Sequence, residues 1–180
     1  MRIIAGSLRG KTLVAPAGTT TRPTSDRARQ ALFDMIMHAP WGGRDLIENA
    51  AILDAFAGTG ALGLEALSRG AGFAHFIEQD PGALSALRTN IAACKSPATR
   101  VWQADVLAPP KGPRCRLIFL DPPYNKSLIP QSLPKLRAAG WIAPATLIIA
   151  ETARDEPPPT ENPLLANRPF GAARIWAWQE

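Results

Sequence analysis

At 180 residues, 46% of them hydrophobic, the chain is long enough for one domain with a sizeable core plus a small appendage, and too apolar to be disordered. Its formal charge of +5 points to a polyanionic partner. Cys94 and Cys115 stand in no C-x-x-C pair and His38 and His75 are far apart, so neither a zinc site nor a disulfide framework is written here and no metal is expected.

The N-terminus, Met1 to Gly6, lacks the long apolar core of a signal peptide, and no apolar run approaches the ~20 residues of a spanning helix. The expectation is a cytoplasmic protein that does not enter a membrane. Arg2–Ile4 and Thr12–Val14 are β-prone pieces flanking Gly6-Ser7-Leu8-Arg9-Gly10-Lys11, a basic hairpin too small to fold alone. Arg22-Pro23-Thr24-Ser25-Asp26 then reads as a helix start, with Thr24 or Ser25 as N-cap and Asp26 facing the dipole. Ala28, Ala31, Leu32, Met35 and Ile36 form one apolar stripe, which leaves Arg27 and Arg29 on the polar face, and the helix ends before Pro40. Residues 1–30 carry Arg2, Arg9, Lys11, Arg22, Arg27 and Arg29 against the single acid Asp26, whereas residues 151–180 are net acidic. The basic end is the candidate docking surface for phosphates, through Arg2, Arg9, Lys11, Arg27 and Arg29; the plainer reading is a solvated charged face.

From Ala51 strands and helices alternate: strand Ile52–Phe56, helix Gly60–Ser68 closed by Gly70, strand Phe73–Ile77, helix Pro81–Ala93. Strands Thr99–Gln103 and Leu117–Leu120, helix Leu128–Ala138 and strand Thr146–Ala150 continue the series. Such alternation means parallel crossovers and an open α/β sheet. Pro157-Pro158-Pro159 reads as a stiff exposed loop, and Ala173–Trp178 as a final, antiparallel strand.

Asp54-Ala-Phe56-Ala-Gly58-Thr-Gly60-Ala-Leu-Gly63 sits at a strand-to-helix junction, where glycines let a ligand approach the backbone closely. Taken alone this G-x-G-x-x-G admits a dinucleotide enzyme. What argues for another ligand is a series of acids at strand ends: Asp54, then Glu78, Asp105 and Asp121. In a parallel sheet these ends share one edge. A ligand meeting them should offer cationic groups and N–H or O–H donors, as S-adenosylmethionine does, with Glu78 suited to ribose hydroxyls and Asp105 to an adenine amine. Singly, each acid is more simply a capping or solvated strand end.

The fourth strand stops at Asp121-Pro122-Pro123-Tyr124. The two prolines fix φ and have no N–H, so the corner is rigid and its carbonyls stay free to accept. Acceptors on both N–H bonds of a nucleobase amine, from the Asp121 side chain and the Pro122 carbonyl, can turn the nitrogen lone pair out of the ring plane, and Tyr124 offers a π-face for the base. A proline surface turn after a buried strand is the alternative.

Together, Asp54–Gly60, Glu78, Asp105 and Asp121–Tyr124 resemble the ordered motifs of class I S-adenosylmethionine-dependent methyltransferases, in the D-P-P-Y form typical of amino-group methylation. More narrowly, Arg2-Ile-Ile-Ala-Gly6, Arg9-Gly-Lys11, Arg22-Pro-Thr24 with Arg27-Ala-Arg29, Leu32-Phe33 and the run Phe56–Ala71 resemble the bacterial 16S ribosomal RNA guanine-N2 methyltransferase family, the likeness running to about Glu151. The resemblance implies a Rossmann-like fold with a mostly parallel seven-stranded sheet and an antiparallel C-terminal strand. Residues 1–40 would be a hairpin and helix extension, and 41–180 the methyltransferase domain. It implies that Arg22 and Thr24 hold the methionine end of S-adenosylmethionine, that Asp54, Phe56, Gly58 and Gly60 line the cofactor, and that Glu78 and Asp105 take ribose and adenine. Asp121, Pro122, Pro123 and Tyr124 would bind the target guanine of 16S ribosomal RNA, in a small-subunit particle, with the enzyme a monomer. Rival readings are the same chemistry on a DNA adenine or a protein glutamine, a dinucleotide-dependent oxidoreductase, and a nucleic-acid-binding module on an inactive cofactor fold.

Overall fold

The structure is a computed structural model that describes residues 1–16 and 26–180. Helix α1 (Asp26–His38) and a short 3-10 turn (Arg44–Leu46) lead into β1 (Ala51–Asp54), α2 (Ala61–Ser68), β2 (Phe73–Glu78), α3 (Pro81–Cys94) and β3 (Thr99–Gln103). There follow β4 (Leu117–Leu120), α4 (Leu128–Ala138), β5 (Leu147–Ala153), β6 (Leu164–Phe170) and β7 (Ala173–Gln179). One seven-stranded sheet runs in the order β3-β2-β1-β4-β5-β7-β6. The first five of these are parallel, with Asp54 in register with Phe76 on one side and Phe119 on the other. All their C-terminal ends therefore lie along one edge.

Alternation of side chains sorts the core into two layers. On one face Ile52, Phe76, Phe119 and Ile149 pack with Leu32, Phe33 and Ile36 of α1 and Leu64 of α2. On the other, Leu53, Ile77, Ile118 and Leu120 pack with Leu133 and Leu136 of α4 and with Trp141, Trp176 and Trp178.

The C-terminal part departs from expectation in two ways. β5 runs to Ala153 instead of stopping at Ala150, because β7 supplies an antiparallel ladder as far as the pair Ala153↔Ala173. An additional strand, β6, pairs antiparallel with β7 at the outer edge of the sheet. Its sequence, Leu-Leu-Ala-Asn-Arg-Pro-Phe, has no clean alternation and contains Pro169, which an edge strand tolerates because one side of its ladder goes unpaired.

The N-terminal segment makes the expected hairpin in minimal form, a single antiparallel bridge Arg2↔Thr12. It leans on the core through Ile3 and Leu13, both buried in the layer that holds Phe33 and Phe76. Gly6 lets it approach α2 closely: with φ +79°, a Cβ there would stand 1.7 Å from the Ser68 carbonyl oxygen.

Candidate active site at the carboxyl edge of the sheet

β1 delivers Asp54 to the sheet edge fully buried, 1% exposed, on the α2 face. One carboxyl oxygen accepts the Gly63 N–H at 3.0 Å, tying the first turn of α2 to the strand end. Burial pushes the Asp54 carboxyl up to about 7, with the Gly63 hydrogen bond opposing and the nearby Glu78 charge reinforcing the rise.

Between Asp54 and α2 the chain turns through Phe56, half-buried against the α4-side layer, and through Gly58 and Gly60, both with positive φ. Gly58 has φ +52°, and a Cβ built on it would meet no atom within 4 Å, so its backbone faces open space of the kind a ligand fills. Its N–H donates to Glu78 Oε2 at 2.7 Å, while Glu78 Oε1 accepts from Gln79 and Asp80, both at 2.8 Å. Glu78 is thereby oriented by three backbone donors of the loop and strand end. Asp105, two residues past β3, is exposed and accepts the Leu107 N–H at 2.8 Å. A glycine turn open to space at Gly58 and a row of acidic acceptors fit a ligand that carries a positive charge, hydroxyls and an amine, as S-adenosylmethionine does.

On the neighbouring strand, β4 ends at Leu120, and Asp121 begins the proline corner half-buried. Pro122 is buried and Pro123 exposed. Tyr124 is 39% exposed, yet its hydroxyl donates a hydrogen bond to Glu151 near the end of β5. Burial and the Glu151 carboxylate hold the phenol well above its ordinary range, with Asp121 and Glu156 adding to the effect. A small cleft of about 60 Å³ opens here between Tyr124, Leu128, Glu151 and Pro157 to Pro159.

The basic residues expected to contact phosphate divide. Arg9 and Arg27 are exposed. Arg2 is also exposed, its side chain 3.5 Å from Asp26. Lys11 donates to the Ala93 carbonyl near the end of α3 at 2.5 Å. Arg29 requires correction: it lies fully buried, not on the polar face of α1. Its guanidinium bonds the Arg2 carbonyl and Asp26 and stands 3.8 Å from Glu65. Burial lowers its pKa, opposed by the Glu65 and Asp26 charges. The helix stripe is wider than the spacing suggested because an ionic contact with α2, invisible to apolar periodicity, occupies its flank. Arg22 and Thr24 lie outside the described residues.

Four residues that organise this region were not singled out from the sequence. Glu65 of α2 accepts the N–H groups of Ile4 and Ala5 at 2.8 and 3.1 Å and bonds Arg69 at 2.8 Å. Its signal was an acid within an otherwise apolar helix, Ala-Leu-Gly-Leu-Glu-Ala-Leu-Ser. Asn90 of α3, 1% exposed, accepts from Val14 N–H at 2.8 Å and donates to the carbonyls of Val14 and Thr59 at 3.0 and 2.9 Å. Glu151 and Glu156 had the same signal as the other edge acids, a carboxylate where a strand runs out.

A doubly wound sheet with a glycine loop after β1, acids along the carboxyl edge and a D-P-P-Y corner after β4 defines a class I S-adenosylmethionine-dependent methyltransferase. The chain belongs to the family described as conserved hypothetical protein 95, whose model matches residues 1–179. It is 38% identical over 162 residues to ribosomal RNA small subunit methyltransferase D of Escherichia coli, covering 89% of this chain and 78% of the relative. With the protein of the same name from Haemophilus influenzae the identity is 36% over 163 residues, 87% of this chain and 81% of the relative. A solved Escherichia coli structure, 35% identical, superposes with a TM-score of 0.84 over 99% of this chain and 97% of its own.

Proposed function

We propose that the protein methylates the exocyclic N2 amine of a guanine in 16S ribosomal RNA, acting in the cytoplasm on RNA held in a small-subunit particle. The observation that carries the reading is the adjacency of β4 to β1, which puts the Asp121 corner beside the glycine loop on one edge. An amine acceptor next to a cofactor cradle is what methyl transfer to nitrogen requires. The names of the curated relatives support the ribosomal substrate.

S-adenosylmethionine supplies an electrophilic methyl group on a sulfonium. The chain's own residues bind and orient. Gly58 would let the cofactor approach the backbone and Gly60 would keep the turn tight against Leu87 and Phe76, while Asp54, Phe56, Glu78 and Asp105 would line the cofactor's length, with Arg22 and Thr24 at the methionine end. Asp121 and the Pro122 carbonyl accept hydrogen bonds from the two amine N–H groups and expose the nitrogen lone pair; Pro123 stiffens the corner and Tyr124 stacks the base. No strong base is required, because the nitrogen becomes acidic only once it is methylated, and Asp121 takes the proton late. The target guanine is reached unpaired or turned out of its stack. Residues 1–40 form the docking extension and 41–180 the catalytic domain. Arg2, Arg9 and Arg27 are the phosphate contacts, and Lys11 joins them if it leaves the Ala93 carbonyl.

The test is transfer of labelled methyl to naked 16S RNA, to assembly intermediates and to intact small subunits from a strain lacking the enzyme, with mass spectrometry locating the modified base. Methylation of a guanine N2 in one of these is expected. Labelling only of DNA or of protein would overturn the reading.

A further inference from the structure

Tyr124 presents an exposed ring, yet the turn that carries it is held from behind. Asn125 and Ser127 both adopt left-handed backbone, φ +58° and +50°, an unfavourable conformation for non-glycine residues that persists only where surrounding contacts hold it. Ser127 is held by Gln131 of α4, which donates to its carbonyl at 2.8 Å, and Tyr124 and Asn125 are held by the end of β5 and the segment just after it. Glu151 is buried and accepts the Tyr124 hydroxyl. Glu156 accepts the Asn125 N–H at 3.1 Å and, through the same oxygen, the Ala153 N–H at 2.9 Å, so one carboxylate joins the turn to the strand end. Pro157 to Pro159 then wall the cleft beside the ring.

We infer that Glu151 is a positioning residue of the methyl transfer: its hydrogen bond to the Tyr124 hydroxyl fixes the plane of the ring on which the target base stacks, and Glu156 locks the turn beneath it. The inference rests on the reading of Tyr124 as the stacking platform. A tyrosine with a free hydroxyl can rotate and tilt about its side-chain torsions; one whose far end is tied to a buried carboxylate has a single orientation. Since the corner's acceptors and the stacking face must engage one flat base together, a ring displaced by about 1 Å is expected to cost on the order of 100-fold in rate.

Tyr124 is the chain's only tyrosine, so its ionisation can be followed by ultraviolet difference absorbance with no assignment ambiguity. The experiment compares wild type, Glu151→Ala, Glu151→Gln, Tyr124→Phe and the double variant Tyr124→Phe/Glu151→Ala. It measures kcat and KM for RNA, S-adenosylhomocysteine affinity by calorimetry, and the phenol titration in those proteins that retain Tyr124. Glu151→Ala should lower kcat at saturating RNA at least tenfold with cofactor affinity unchanged, and move the phenol titration to lower pH, towards its ordinary range. Glu151→Gln keeps an acceptor and should recover activity to within about threefold of wild type. The double variant should be no slower than the slower single one, because both break the same link. Tyr124→Phe alters an exposed side chain, so the proposal stays testable if Glu151→Ala fails to fold. Fully additive losses, a kcat for Tyr124→Phe within twofold of wild type, or a phenol titration unmoved in a folded Glu151→Ala would each overturn the positioning role. An inactive wild type would overturn the functional reading and this role with it, whereas the titration would still report on the tether alone.

Discussion

Replacing Asp54 with asparagine isolates the energetic cost of keeping an acid at the glycine loop. Its carboxyl is buried with one backbone donor, and its folded-state pKa of about 7 lies above the ordinary 3.8. Because the folded value is the higher one, the contribution of this group to stability is complete below about pH 4 and is lost as pH rises through 7. At about 1.4 kcal/mol per unit of pKa, that interval corresponds to about 4 kcal/mol. The asparagine side chain cannot ionise and retains an oxygen for the Gly63 N–H. The difference in unfolding free energy between wild type and Asp54→Asn, measured by urea denaturation from pH 4 to pH 7.5, should therefore drift against wild type by several kcal/mol across the window. The slope is the readout, because a constant offset only reports how well the introduced amide is accommodated. A difference that stays flat to within about 0.5 kcal/mol would refute the argument, and would mean that Asp54 is ionised in the folded protein throughout.

For Asp121→Ala, turnover should fall by roughly two or more orders of magnitude while calorimetric affinity for S-adenosylhomocysteine changes little, the pattern of a group that acts on the reacting amine; near-normal turnover would remove Asp121 from the mechanism. Glu65→Ala leaves the Ile4 and Ala5 N–H groups without their acceptor and takes a buried countercharge from Arg29, so urea unfolding should report a loss of about 3–5 kcal/mol. The double variant Arg9→Ala/Arg27→Ala removes two exposed charges that hold nothing in the fold among the described contacts, so stability should be unchanged while the slope of log RNA affinity against log salt flattens by about 1.4, at ~0.7 per phosphate contact on single-stranded RNA. A slope equal to wild type would move the docking surface elsewhere.

What the sequence made legible was whatever depends on local pattern. The helix Leu128–Ala138 and the strands Thr99–Gln103 and Leu117–Leu120 have the bounds their apolar runs and flanking breakers suggest. The glycine loop and the row of edge acids could be read because strand ends in a parallel sheet converge whatever the details of packing. What escaped depended on long-range partners. β6 owes its existence to pairing with β7, and its own residues would suit an exposed loop. Arg29 shows the same limit on a single side chain, since a guanidinium beside a stripe reads as solvent-facing until Glu65, on the next helix, is placed against it. Glu151 follows an apolar run as Asp54, Glu78 and Asp121 do, but the strand continues past it to Ala153 and its partner, Tyr124, lies 27 residues away on another turn, so local pattern does not reveal its role.

The placement of Glu65 and Asn90 bears on how docking and catalysis can be separated by experiment. α2 starts immediately after the glycine loop, and a little over one turn later Glu65 grips the first strand of the hairpin through the Ile4 and Ala5 N–H groups. Asn90 grips the other strand at Val14 and, with the same amide, the Thr59 carbonyl within the loop itself. The basic hairpin is thus bolted at both strands to elements that shape the cofactor side, and its own Ile3 and Leu13 are buried beside Phe33 and Phe76. Deleting it would open that apolar layer and strip Asn90, which also holds the glycine loop at Thr59, of its Val14 partners together with the removal of the positive charge. Loss of methylation in a truncated protein would therefore say nothing about RNA contact. Substitutions at exposed side chains, Arg9 of the hairpin and Arg27 of α1, change the charge offered to phosphate while leaving the Glu65 and Asn90 attachments in place.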